Sequence, residues 1–422
     1  MKRNSKRNRR IRNLVLICVL SALLLTVGTY AWFIGMQTVK VNSFEVKIAS
    51  VDSLMLSLDG TSWATSINVS SATQYTNNAN EFLTDSKEGL KPISTVGALD
   101  ADASRLMLFE KGSLTATKGG YRLMTSRVAN NTTQNAANEY LEGDGYVAFD
   151  LFVMNLSGDA YYKENNELNE EAVYLTYDSA VTAGDSGVTN SGIENSVRVG
   201  FAQIGRVSAT DYGTTDDADK IAVVTGMTCA GGDDVTGICR TAKIWEPNEN
   251  THVAAAKTWY EKTCKARRAA TGEEAENGFY YSDTACADLT NYIATNAVVN
   301  EIAATDYIDV YDGAYNGFTA DTDKLQQVDT FTDTEKLQTG TNRLPFMTFA
   351  PNSITKVRVY IWIEGQDIDN YDFASLGHSV LVNFGFTKER ITSGEIDESI
   401  DPNAGPNGNV NAEQLPTPAQ GS

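Results

Sequence analysis

Histidine is almost absent from this sequence. His252 and His378 are the only two among 422 residues. An H-E-x-x-H zinc site is therefore excluded, because it needs two imidazoles closely spaced on one helix face. His252, near a helix start, and His378, at a strand start, read as ordinary surface or internally satisfied histidines. A G-x-S-x-G nucleophile elbow and a phosphate-cradling P-loop are missing as well. Close C-x2-C pairs, the usual mark of structural zinc, do not occur among the five cysteines. No apolar stripe of helical period separates successive strand patterns, which excludes a parallel βαβ sheet. Carboxylates are the opposite case. With 54 of them, pairs spaced for glycoside hydrolysis arise anywhere and carry no information. The sequence reads as non-catalytic, with no cofactor.

Charge is missing in one place and concentrated in another. No charged side chain lies between Asn13 and Val39, and no acid precedes that interval. Before it stand Lys2, Arg3, Lys6, Arg7, Arg9, Arg10 and Arg12; the rest of the chain holds 27 basic and 54 acidic residues. So acidic a body repels nucleic acid and anionic lipid. Residues 1–13 are a basic cytoplasmic segment, and residues 14–33 are either a signal peptide or a transmembrane anchor. Either way the basic block keeps the N-terminus inside and sends the remainder out. Thr29-Tyr30-Ala31 offers the small side chains that signal peptidase needs, with the mature chain starting at Trp32. In a retained anchor Tyr30, Trp32 and Phe33 form an aromatic belt instead.

A basic start, a short apolar run, then Gly28-Thr29-Tyr30-Ala31 followed by Trp32, Phe33 and a strand resembles the export signal of the TasA/camelysin family. These are Gram-positive surface and biofilm-matrix proteins. The resemblance covers about the first 45 residues and implies cleavage between Ala31 and Trp32. It also raises metalloprotease chemistry, for which this chain lacks the paired histidines.

Period-two alternation dominates the exported part. Phe44, Val46 and Ile48 share one face, as do Leu54, Leu56 and Leu58 ahead of an Asp59-Gly60 turn. So do Val147, Phe149, Leu151 and Val153; Val197, Val199 and Phe201; and Val380, Val382, Phe384 and Phe386. The clearest case is ITKVRVYIWIEG, with Val357, Val359, Ile361 and Ile363 inward and Lys356, Arg358, Tyr360 and Trp362 outward. The predicted fold is mainly β: an antiparallel sandwich, jelly-roll or immunoglobulin-like, over residues 34–226 and 301–390. Residues 227–300 read as a helical insertion, with one helix from about His252 to Ala270, capped by Thr251, and a second in DLTNYIATNAVVNEIAA. Cys229, Cys239, Cys264 and Cys286 all fall there and read as two disulfides, 229–239 and 264–286 among three possible pairings. Cys18 lies in the apolar run. Residues 391–422 are a polar, disordered tail.

Three further features bear on function. Glu364, Asp367, Asp369 and Asp372 follow the strongest strand; Asp367, Asp369 and Asp372 are a calcium candidate, with a solvated loop as the default. Tyr360 and Trp362 form either a sugar-stacking row or a covered surface. Val39 and Val41 alternate out of phase with Phe44, Val46 and Ile48, which predicts a kink near Asn42-Ser43 between a donor arm and the domain's own strand. The expectation is an exported cell-surface or matrix protein, membrane-anchored or secreted, that builds fibres by strand donation. The alternative is a membrane-anchored module binding carbohydrate or another ligand. Its partners are the membrane, through the N-terminal segment, and further copies or other surface proteins, not nucleic acid.

Overall fold

A computed structural model of the chain describes residues 39–48, 54–69, 89–110, 113–117, 120–126, 142–143, 145–157, 161–176, 178–184, 190–212, 216–248, 251–260, 299–303, 324–328, 345–365, 367, 369–371 and 378–388. The alternating segments form strands. The first nine are β1 (Lys40–Ile48), β2 (Leu54–Ser57), β3 (Ser66–Val69), β4 (Pro92–Asp100), β5 (Arg105–Glu110), β6 (Ser113–Thr117), β7 (Gly120–Ser126), β8 (Val147–Asn155) and β9 (Glu171–Leu175). They are followed by β10 (Ala180–Ala183), β11 (Val197–Ser208), β12 (Thr236–Gly237), β13 (Lys243–Trp245), β14 (Val299–Ala303), β15 (Lys324–Val328), β16 (Met347–Phe349), β17 (Ser353–Glu364) and β18 (Ser379–Thr387).

One sheet runs β16-β9-β18-β1-β3, with β10 also on β18. A second runs β12-β11-β17-β4-β5, with β13 on β11 and β8 joining β17 to β2. Both are mixed, which corrects the antiparallel expectation: β1 lies parallel to β18, and β4 is parallel to the end of β17. A parallel pair needs a long crossover instead of a hairpin. Nearly the whole described chain separates β1 from β18, so no local turn signal announces their contact. The two sheets share one core. Phe44, Val46 and Ile48 of β1 and Val380, Val382, Phe384 and Phe386 of β18 meet the apolar faces of β8, β11 and β17 there. Phe44 stacks on Phe149 with ring centroids 4.3 Å apart, and Phe201 meets Phe384 edge-on at 5.0 Å. Each such side chain contributes roughly 1.5–3 kcal/mol by leaving water.

The outward row of β17 is covered. Lys356, Arg358, Tyr360 and Trp362 are all buried, so the covered-surface reading of the aromatic row holds and no sugar-stacking face exists there. The physical reason is a further layer. Ile93, Leu106, Leu108, Tyr146, Ile204 and Ile244 pack over Tyr360 and Trp362. Gly200 allows the close fit, since a Cβ there would stand 2.9 Å from the Trp362 ring. The charges are cancelled in place. Arg358 grips Asp150, its direct cross-strand neighbour, with Nε to Oδ1 at 2.7 Å and Nη2 to Oδ2 at 3.0 Å. Lys356 Nζ lies 3.3 Å from the same carboxylate. The Tyr360 and Tyr146 hydroxyls donate to Glu142 at 2.8 and 2.7 Å. Burial alone would raise the Asp150 carboxyl, but Arg358 and Lys356 outweigh it and hold it below the usual carboxylate range.

The described residues of the segment 227–300 are less helical than expected. Within it β12 and β13 pair along β11, and the Cys229–Cys239 disulfide, with Cα atoms 4.9 Å apart, closes the loop that carries β12. The first helix begins at Ala254, not His252, and is described to Tyr260. Part of the expected second helix is β14, paired with β15 in a four-stranded sheet with β7 and β6. Val299 and Ile302 are β-branched and favour the extended form once a partner strand is present. Two short helices that the sequence reading lacks cover Ala209–Tyr212 and Asp217–Thr225, the latter capped by Asp216. Expectations for residues 1–38, including Ala31 and Trp32, for Cys264, Cys286 and Asp372, and for the tail 391–422 lie outside the described residues.

Candidate functional site

The loop that leaves β17 carries two of the three calcium candidates, and the fold brings both to His252. Asp367 Oδ1 accepts the Asp369 backbone N–H at 2.8 Å and the Ser196 hydroxyl at 3.3 Å; Oδ2 accepts Arg198 Nη2 at 2.8 Å. Arg198, fully buried on β11, also pairs with Glu246. Asp369, itself fully buried, takes the His252 ring through Nδ1 at 2.7 Å and the Val253 N–H at 3.1 Å. Ligand atoms of His252, Asp367 and Asp369 all fall within 4.8 Å of one another. Burial pushes the Asp369 carboxyl up and the Asp367 charge adds to this, partly offset by the hydrogen bonds from His252 and Val253.

One imidazole and two carboxylates suit a borderline transition metal better than calcium, which prefers an all-oxygen shell. Yet the oxygens already face protein donors, and Arg198 stands where a cation would neutralise Asp367. A bound ion would have to displace Arg198 or His252. As it stands, the cluster fastens the β17 exit loop to the start of the helix over Ala254–Tyr260. An Asp–His pair can also orient a general base, but among the described residues no Ser, Thr or Cys side chain hydrogen-bonds to His252. Sequence reading treats His252 as satisfied, which it is. Its partner lies 117 positions away, and no local signal points to it.

The segment proposed as a donor arm gives the second site. The pairing of β1 with β18 shifts register between Val41 and Ser43, where the kink is expected. A shift of one residue exchanges the faces of a strand. Val39 and Val41 therefore reach the same core as Phe44, Val46 and Ile48. The kink does not detach the arm: Lys40 N–H donates to His378 O at 3.0 Å, and Leu90 N–H donates to Val39 O at 2.6 Å. The other flank of β1 faces outward, with Lys40 exposed and Glu45 and Lys47 half-buried.

Comparison of the chain with protein-family models, with curated proteins and with solved structures finds no match in any of the three. Among the described residues, no helix is long and apolar enough to cross a membrane.

Proposed function

We infer that this chain is an exported, non-catalytic structural protein of the cell surface or extracellular matrix, which assembles by giving its β1 segment to a neighbouring copy. The observation that carries this reading is the place of β1. Among the described residues it is the first strand, it sits inside its sheet, and it lies parallel to the last described strand, β18. Removing it would expose β18 along a full edge and open the core at Phe44, Val46 and Ile48. The same strand from another copy restores every one of those contacts, so exchange costs little once the segment is free. Cleavage between Ala31 and Trp32 is the step that frees it, and the TasA/camelysin-like export signal supports that step. The finer fold class, a jelly-roll or immunoglobulin-like sandwich, and a second disulfide between Cys264 and Cys286 belong to the same proposal.

Mass spectrometry of the secreted and membrane fractions should find a mature chain beginning at Trp32. Deleting residues 32–48, which removes β1, should then abolish filaments in electron micrographs. Filaments that persist after the deletion would overturn strand donation.

A further inference from the structure

At one end of the fold a lysine amine, an asparagine carboxamide and a glutamate carboxylate form a closed triangle. Asn155 ends β8 in one sheet, Glu171 opens β9 in the other, and Lys388 directly follows β18. Lys388 Nζ donates to Asn155 Oδ1 at 3.1 Å and to Glu171 Oε2 at 2.7 Å; Asn155 Nδ2 donates to that same Oε2 at 2.8 Å. Asn155 is fully buried, and its orientation is fixed. The nitrogen has two acceptors, Glu171 Oε2 and, at 3.1 Å, the Ala350 carbonyl. The oxygen faces Lys388 and the Ser157 hydroxyl, the latter at 2.8 Å. Flipping the amide would set its NH2 against the Lys388 ammonium and its oxygen against two acceptors, so only one arrangement satisfies the group.

We propose that Lys388 and Asn155 join in an intramolecular isopeptide bond, with Glu171 as the proton carrier. The Lys388 ammonium passes one proton to Glu171, and the neutral amine attacks the Asn155 carbonyl carbon. The Ser157 hydroxyl contacts both Glu171 Oε2 and Asn155 Oδ1, and once Glu171 is protonated it donates to the developing oxyanion on Oδ1. As the Cγ–Nδ2 bond breaks, the nitrogen takes up the Glu171 proton and one of the two amine protons and leaves as ammonium. A secondary amide remains, Glu171 returns to its starting state, and no oxidant, reductant or cofactor enters. One carboxylate oxygen touches both the nucleophile and the leaving group, which is the geometry such a transfer needs.

A fully buried lysine elsewhere in the fold makes the contrast. Lys356 lies beside Asp150, but Arg358 grips that carboxylate in a bidentate pair and keeps it charged. An ionised carboxylate is a poor acyl group, whereas the neutral carboxamide of Asn155 needs no protonation before attack. The bond would tie the last strand of one sheet to β8 of the other and lock the end of the fold that leads into residues 389–422.

The test is a tryptic map of the folded full-length protein, denatured before digestion. Expected is a cross-linked species joining residues 128–163 to 359–390, lighter than the sum of the two peptides by one ammonia. Trypsin would not cut after Lys388 in this species. Lys388→Arg and Glu171→Gln should both lack the link, and the first keeps the charge at its position. An unlinked wild-type chain, with Lys388 cleaved normally, would overturn the bond. A link that survives Glu171→Gln would overturn the role of Glu171.

Discussion

β17 and β1 both lie inside their sheets, yet they are held there by different means. β17 is buried along all twelve residues, with apolar side chains on one face and ion-paired Lys356 and Arg358 with Tyr360 and Trp362 on the other. Leaving the sheet would strand Asp150 and Glu142 in the interior, where an unpaired charge is severely destabilising. β1 buries one face only, and its other flank carries Lys40, Glu45 and Lys47 toward solvent. Its partners on the buried side are apolar, and apolar contacts are indifferent to which copy supplies the strand. A strand fixed by buried ion pairs is a permanent part of its own chain, whereas a strand fixed by one apolar face can be exchanged.

The largest effect should come from breaking the dry ion cluster. Arg358→Ala leaves Asp150 without its bidentate partner and should cost roughly 3–5 kcal/mol in denaturant unfolding. A loss below about 1 kcal/mol, the range of a solvated pair, would mean that water reaches this face. Acid should act on the same cluster. Because the folded Asp150 carboxyl is held below its unfolded value, its contribution is present above the unfolded pKa and is lost as pH falls through the folded one. Asp150→Asn should therefore lower the melting temperature at neutral pH and flatten the decline below about pH 4. On the apolar face, Ile361→Ala should cost roughly 2–5 kcal/mol without altering the pH profile. Gly200→Ala presses a methyl group toward the Trp362 ring and should cost about 1–3 kcal/mol. The smallest effect belongs to the flank of β1. Lys47 pairs with Asp178 in a largely solvated position, so Asp178→Ala should cost at most about 1 kcal/mol, and less in high salt.

Much of this was legible in the chain itself. The alternation in ITKVRVYIWIEG, GYVAFDLFVMN and HSVLVNFGF gives β17, β8 and β18, and the phase change between Val41 and Phe44 gives the bulge in β1. The second burial of β17 was not legible, because period two assigns Lys356 and Arg358 to water unless a covering layer is known. Asp150 opposite Arg358 is the clue, and it becomes readable only when the register is fixed. The Asp369–His252 contact and the parallel pairing of β1 with β18 depend on tertiary closure over long stretches of chain, which local patterns do not encode. The strand at Val299–Ala303 shows the reverse failure: an Ala-containing segment follows helix propensity until β15 offers it hydrogen bonds.

Strand exchange is tested most directly by trapping β1 where it pairs. Glu45 and Asn383 are cross-strand partners on β1 and β18, and both are half-buried. Cysteines placed at these two positions can be oxidised in the assembled protein and resolved on a non-reducing denaturing gel. Expected is a ladder of covalently joined copies that collapses to monomer on reduction. A single monomeric band whose disulfide joins the two positions within one chain would contradict it.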